Sequence, residues 1–255
     1  MNQIKTSDIR IWQNELIKEG YSPTYLKTIN NQLNAIFNFA VKYYDLKGNP
    51  CTKAGSIGKS KADEMKFWTK EEFMQFIGKV EKQSQFYIAF MVLYWTGMRL
   101  GEFFALTPAD IDLERRLISI TKSYQRLGGQ DVITPPKTPK SKRIITIPEF
   151  LTIELQAYLN GIHESERLFS STKYYLKKEM KSGIDASGVK TIRIHDLRHS
   201  HASLLVEMGF SPLEIADRLG HEKVETTLNT YSHLYPNKQS KLADRLNHEY
   251  KLGEL

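Results

Sequence analysis

Phe86 to Trp95 reads Phe-Tyr-Ile-Ala-Phe-Met-Val-Leu-Tyr-Trp, ten residues without a charge. A helix that is apolar all round has no face to offer water, so it must run through the middle of a domain. Ten residues are too few to span a bilayer, and no apolar run in the chain reaches 18. The chain therefore has to build a globular shell around this segment, and 255 residues suffice for one or two domains. Hydrophobic residues at 40% and charged residues at 25% fit an ordinary globular protein, neither disordered nor fibrous. The single cysteine, Cys51, excludes an internal disulfide and points to a reducing compartment. Met1 to Lys5 carries no hydrophobic signal region, so a cytoplasmic protein is expected. A net charge of +7 points to a polyanion such as nucleic acid.

Thr6-Ser7-Asp8 can cap a helix bearing Ile9, Trp12, Leu16 and Ile17, stopped by Gly20. Ser22-Pro23 opens a second, with Tyr25, Ile29, Leu33, Ile36, Phe37, Ala40, Val41 and Tyr44 at helical period. One helical hairpin cannot bury both apolar faces, so further helices or a partner are expected to complete residues 1–50. Between Gly48 and Lys66 the apolar pattern vanishes in favour of Pro, Gly, Ser and lysines, including Lys59 and Lys61. This reads as a basic linker, either a solvated tether or a segment laid along a nucleic-acid backbone.

The larger domain, 66–255, opens on a capping box, Thr69 with Glu72. Leu117 to Thr121, Asp131 to Thr134 and Ile144 to Ile147 are β-branched runs read as one small antiparallel sheet. Helical periodicity resumes at Glu149 and continues to about Tyr250, punctuated by Gly161, Gly183, Gly209 and Gly220. The predicted class is mainly α with a small antiparallel β-sheet (α+β).

Four clusters can carry chemistry. Arg99, in Thr96-Gly97-Met98-Arg99-Leu100-Gly101-Glu102, lies between two helices; it either bonds helix-end carbonyls or offers its planar fork to phosphate, with Glu102 orienting it. Pro135 to Arg143 holds Lys137, Lys140, Lys142 and Arg143 and reads as a hairpin turn, either a solvated tip or one entering a DNA groove. On the helix from His195, successive 100° steps place His195, Arg198, His199 and Ala202 on one face and His201 on the apolar face with Leu197, Leu204 and Met208. His201 is thus expected as a packed core histidine. His195 and Arg198 together suit an anion. Zinc is disfavoured, because an arginine shares the face and no His-Glu-x-x-His pattern is present. Finally, Leu219-Gly220-His221 is followed ten residues on by Tyr231, with Tyr235 as its rival. A phenol is a poor nucleophile at neutral pH unless fixed positive charges surround it.

As a set, Arg99, Lys137, His195, Arg198, His221 and Tyr231, within Thr-Gly-Met-Arg-Leu-Gly-Glu, His-Asp-Leu-Arg-His-Ser-His, Leu-Gly-His and Tyr-Ser-His, resemble the tyrosine recombinases. The likeness is in particular to integrases of temperate phages and integrative conjugative transposons, over about 66 to 250. The resemblance implies a clamp around double-stranded DNA, with a partial helical core-binding domain at 1–50, the basic linker at 51–65 and the catalytic domain at 66–255. Such integrases begin with an arm-binding domain and a further helix, so the first fifty residues are expected to be the remnant of a longer domain. It also implies that Tyr231 attacks a phosphate to give a 3′-phosphotyrosine, that Arg99 and Arg198 neutralise the phosphate, and that His221 hydrogen-bonds it. Lys137 is then the general acid, placed by alignment with the residue near a strand's end, and His195 assists proton transfer at Tyr231. No metal or other cofactor is implied. Lys59, Lys61, Lys140, Lys142 and Arg143 are the expected DNA contacts. The expected assembly is a tetramer on DNA from solution monomers, with excisionase or DNA-bending factors as further partners, in the nucleoid of a bacterial cell. The alternatives are an inactive accessory protein of this fold and a type IB topoisomerase. The stripe Lys238, Leu242, Leu246 and Tyr250 either docks on a neighbour or packs within the chain.

Overall fold

The computed structural model describes residues 3–59, 65–82, 84–136 and 138–235, together with 243, 246, 247 and 250. The chain divides into two compact units, 1–65 and 66–255.

The first unit holds α1 (Thr6–Lys18), α2 (Pro23–Tyr43) and α3 (Pro50–Ala54). At the start of α1 the Lys5 amide donates to the Asp8 carboxylate at 2.8 Å, and Ser22 Oγ accepts the Tyr25 amide at 3.3 Å ahead of α2. Ile9, Phe37, Cys51 and Ala54 form a small core. Beside it, buried Gln13 donates to Asn30 Oδ1 at 2.8 Å and to the Gly55 carbonyl at 2.9 Å. The linker expected from 51 is therefore folded in its first part: Cys51, Ala54 and Ile57 are all buried, and the Lys59 amide donates to the Pro23 carbonyl at 3.0 Å. Three small or medium apolar residues suffice to anchor a five-residue helix whose surroundings look polar. Lys59 itself is exposed, and Lys61 lies outside the described residues. The buried stripe of α2 is narrow, carried by Leu26, Asn30, Phe37 and Ala40. Tyr25, Ile36, Val41 and Tyr44, expected on the inner face, are exposed, as is Ile17 of α1.

The second unit is built around α5 (Gln85–Thr96), in which Ile88 to Tyr94 are buried without a break. Burial of each large side chain is worth roughly 1.5–3 kcal/mol, so this segment contributes heavily to the stability of the unit. α4 (Lys70–Ile77) packs on it, with Phe73 stacked on Tyr94 at 3.7 Å between ring centroids. After α6 (Leu100–Ala105) come the strands β1 (Ile111–Asp112), β2 (Leu117–Ile120), β3 (Ser123–Leu127), β4 (Gln130–Thr134) and β5 (Arg143–Thr146). They form two sheets where one was expected. β1, β2 and β5 make an antiparallel sheet in the order β1-β2-β5, with Ile118 opposite Ile145. β3 and β4 pair separately as a hairpin through Gly128-Gly129, both at positive φ. β3 has no apolar alternation because Gln125 to Leu127 face solvent, which is why the sequence pattern does not show it. In consequence Pro135 to Lys142 is not a hairpin tip; it crosses from one sheet to the other through a 3-10 turn at Pro139–Ser141.

α7 (Glu149–Leu159), α8 (Lys173–Ser187), α9 (Asp196–Glu207), α10 (Pro212–Leu219) and α11 (Val224–Tyr231) complete the unit. Gly183 lies inside α8, whose end is set by Gly188 in the left-handed conformation. Lys238 and Leu242 of the final stripe lie outside the described residues, while Leu246 and Tyr250 are exposed. Among the described residues, no helix is long and apolar enough to cross a membrane.

Candidate active site

The ends of α5 and α10 shape the site. α5 stops at Gly97, whose left-handed backbone (φ +64°) reverses the chain, buries Met98 and delivers Arg99 to the start of α6. The Arg99 amide donates to Glu102 Oε2 at 2.9 Å, and its guanidinium donates to Glu102 Oε1 at 2.8 Å, to the Gly220 carbonyl at 3.1 Å and to Ser141 Oγ at 3.4 Å. With its side chain 38% exposed, Arg99 keeps a face open to an incoming group.

Glu102 is buried and accepts a third bond, from Arg143 Nη2 at 2.9 Å. Burial works to raise its pKa, but the hydrogen bonds and charge of Arg143, joined by the bonds from Arg99, hold it below the usual glutamate value. Arg143 is the correction here: expected to contact DNA, its side chain is 7% exposed and also donates to the carbonyls of Arg218 and Ser141 at 2.9 and 3.0 Å. It fixes the Glu102 carboxylate inside the protein.

Arg198, in the first turn of α9, is buried and donates to the Gly97 carbonyl and the Leu219 carbonyl, both at 2.8 Å. Burial, and after it the Arg99 charge, pull its pKa down to about 9. His195, immediately before α9, is exposed; partial desolvation and the Arg198 charge lower its pKa. Its ring lies edge-on to that of His199, 5.3 Å between centroids. His199 Nδ1 in turn lies 2.8 Å from the Tyr231 hydroxyl. Tyr231 ends α11 and is only 1% exposed, so burial pushes its pKa up to about 12 while Arg198 pulls the other way.

His221 follows Gly220 and places Nδ1 2.7 Å from Thr227 Oγ1. Burial and the charges of Arg198, Arg99 and Arg143 lower its pKa to about 4. Arg99, Ser141, His221 and Thr226 line a cavity of about 300 Å³, whose wall includes Pro136 and Thr138. Lys137, between those two, lies outside the described residues. Lys140 and Lys142 are exposed nearby in the chain. His201 is a core histidine, 2% exposed, whose Nε2 accepts from Arg218 Nε at 2.9 Å. The rival Tyr235 donates its hydroxyl to the Phe210 carbonyl at 3.2 Å and has no arginine among its hydrogen-bond partners. Among the described residues no three His, Cys, Asp or Glu side chains gather to hold a metal ion.

The sequence profile of the Phage integrase family matches residues 66–238. The chain belongs to this family. It is a tyrosine recombinase, a site-specific recombinase enzyme. The ICEBs1 integrase of Bacillus subtilis (strain 168) is 35% identical over 263 residues, covering 96% of this chain and 71% of that protein. A XerC-like tyrosine recombinase of Caldanaerobacter subterraneus is 27% identical, again covering 96% of this chain and 71% of its own. Among solved structures, the Tn1549 transposon integrase in complex with transposon right end DNA superimposes with a TM-score of 0.79 at 20% identity, over 97% of this chain and 86% of that one. A lambda integrase tetramer bound to a Holliday junction gives a TM-score of 0.62 at 19% identity, over 88% and 66%. These two likenesses establish the recombinase fold.

The structure brings Arg99, Arg198, His221 and Tyr231 together from four separate elements, and His195 beside them is exposed. Sequence reasoning passed over His199 at Tyr231, Thr227 at His221 and Arg143 at Glu102. The available signal was the four-residue step from His195 to His199, which brings their rings edge to face on one side of the helix.

Proposed function

We propose that this integrase cuts and rejoins double-stranded DNA through a 3′-phosphotyrosine at Tyr231, and so integrates and excises a mobile element. The observation that carries the reading is the neighbourhood of Tyr231, a phenol buried beside His199 and near the Arg198 guanidinium. Tyr231 Oη attacks the scissile phosphorus, the bond to the 5′-oxygen breaks, and the phosphate stays on the enzyme. Arg99 and Arg198 meet the charge that grows on the non-bridging oxygens, a preorganised stabilisation that requires no reorganisation during reaction. His221, held by Thr227, donates to the same phosphate, and the cavity it shares with Arg99 is where that phosphate enters. Lys137 protonates the departing 5′-oxygen. His195 acts on Tyr231 across His199. A 5′-hydroxyl from a second duplex then attacks the phosphotyrosine and releases the enzyme.

Residues 1–50 are the core-binding part, and Lys59, Lys61, Lys140 and Lys142 add backbone affinity. Working as a tetramer on DNA follows the arrangement in which lambda integrase was solved on a Holliday junction.

The test is a nicked duplex carrying the joined ends of the element, on which the covalent adduct accumulates and is read on a denaturing gel. Wild type is expected to form an adduct that survives EDTA, and Tyr231→Phe none. Equal adduct from Tyr231→Phe refutes the assignment. Lys137→Ala is expected to be slow and to recover when sulfur replaces the 5′-leaving oxygen. Absence of recovery moves the acid elsewhere.

A further inference from the structure

The Tyr231 hydroxyl and His199 Nδ1 are 2.8 Å apart, in a pocket where Tyr231 is 1% exposed. The direction of this hydrogen bond can be argued. His199 is neutral, its pKa lowered to about 4 by burial first and the neighbouring His195 second. Tyr231 is neutral too and carries a proton. Among the described residues that proton has no other acceptor, so the phenol donates and Nδ1 accepts, which places the histidine's own proton on Nε2. Among the described residues the cations at the site, Arg99 and Arg198, are arginines, and an arginine cannot take a proton. His195, the histidine implied by the family resemblance to help here, packs on the ring of His199, and it is His199 that packs on the tyrosine.

We infer that His199 is a catalytic residue, the group that takes the proton of Tyr231 as the phenolic oxygen bonds to phosphorus. The proposal rests on Tyr231 being the nucleophile. The step balances: the Oη–H bond breaks, the O–P bond to the 3′-phosphate forms, the bond to the 5′-oxygen breaks, and the proton resides on Nδ1 as imidazolium. When a 5′-hydroxyl attacks the phosphotyrosine, the same proton returns to Oη. The charges around His199 pull in both directions. Asp196, buried one turn earlier on α9, favours the imidazolium; Arg198, Arg193 and His195 on the same side oppose it. From the elements packed on α9, Tyr231 of α11 faces the ring, and His233 on the turn that follows is exposed. Burial first, and these opposing neighbours after it, keep the ring neutral and an acceptor at neutral pH.

Two measurements test this on the intact chain. Nitrogen-15 NMR of the histidines, without DNA, is expected to show His199 as the Nε2-protonated tautomer, with its Nδ1 resonance moving in Tyr231→Phe. A proton on Nδ1 overturns the proposal. On the nicked duplex, His199→Leu is expected to slow adduct formation by about 10²-fold or more, as loss of a general base does. Sulfur at the 5′-leaving position is expected not to rescue it, because the missing function is on the attacking side. His199→Asn offers an oxygen where Nδ1 stood and retains the hydrogen bond, yet cannot hold the proton. Its rate is expected to rise about tenfold per pH unit as hydroxide substitutes, where wild type is level. Wild-type rate and a level profile in His199→Asn reduce His199 to a positioning residue and overturn the proposal. Failure of wild type to form any adduct overturns the phosphotyrosine reading itself, whereas a normal adduct in His199→Leu removes only the role of His199.

Discussion

Replacing Glu102 by Gln keeps the volume of the side chain and removes its charge, so it isolates what the carboxylate does. Glu102 accepts three bonds, two from Arg99 and one from Arg143, at 2.8 to 2.9 Å. Arg143 is the partner that suffers, because its side chain is 7% exposed and no other carboxylate is bonded to it among the described residues. Breaking a buried pair and stranding one charge costs about 3–5 kcal/mol. Glutamine retains one acceptor oxygen but turns an amide N–H toward a guanidinium, so a loss of about 3 kcal/mol is expected. For a domain of this size each kcal/mol moves Tm by roughly 2–4 °C, giving a fall of about 6–12 °C. Urea unfolding followed by circular dichroism measures it. The carboxylate's pKa is below the ordinary 4.5, so its contribution is full above that pH and is lost as pH falls through the lower folded value. The deficit of Glu102→Gln should therefore be flat from pH 5 to 8 and shrink only in stronger acid. Adding Arg143→Met removes the stranded charge and should recover at least about 1 kcal/mol against the sum of the single effects. A single-variant loss below about 1 kcal/mol, or strict additivity, would refute the reasoning.

Gly97→Ala places Cβ 2.6 Å from His201 Cδ2 and 2.8 Å from Leu219 Cδ2 at φ +64°; left-handed strain and overpacking together predict a loss of about 2–4 kcal/mol, read by the same unfolding assay. His199 and His221 have pKa values near 4 against an ordinary 6.5, and His201 near 3. The unfolded chain binds these protons first, so stability should fall as pH drops from about 6.5 toward 4, by up to about 3 kcal/mol per histidine. His221→Asn should flatten that slope in a pH series of urea melts; an unchanged slope counts against it. Lys140→Ala with Lys142→Ala should weaken DNA binding without regard to sequence and reduce the salt dependence of affinity by about two phosphate contacts, measured by fluorescence anisotropy.

The parts of the fold that bury a continuous apolar surface are legible in the sequence. α5 is visible as an unbroken greasy run, and the capping box of Thr69 and the Ser22 cap followed by Pro23 mark helix starts within a residue. What is hidden is structure held by few side chains or by the backbone. α3 rests on Cys51, Ala54 and Ile57, too few to make a period. β3 and β4 pair through main-chain bonds on a solvent-facing ribbon, so their partnership, and with it the path of the segment bearing Lys137, is not written in hydrophobicity. In the site, residue types pointed to Arg99, Arg198, His221 and Tyr231. Charge alone could not separate Arg143, folded inward on Glu102, from Lys140 and Lys142, which face water. Nor could helical phase show which histidine reaches Tyr231, since His195 and His199 share a face and only the approach of α11 decides.

Arg198 is gripped by the carbonyls of Gly97 and Leu219, and Arg99 by that of Gly220. A carbonyl aims a guanidinium but cannot cancel its charge, as a carboxylate would. Arg198 is therefore aligned with no carboxylate hydrogen-bonded to it among the described residues, and the Glu102 charge that favours its cationic form is shared with Arg99 and Arg143. The holders are also invisible to side-chain substitution: no mutation deletes a peptide oxygen. What aims those oxygens is the left-handed backbone at Gly97 (φ +64°) and Gly220 (φ +68°), so a side chain added at either position strains the geometry that holds the guanidinium.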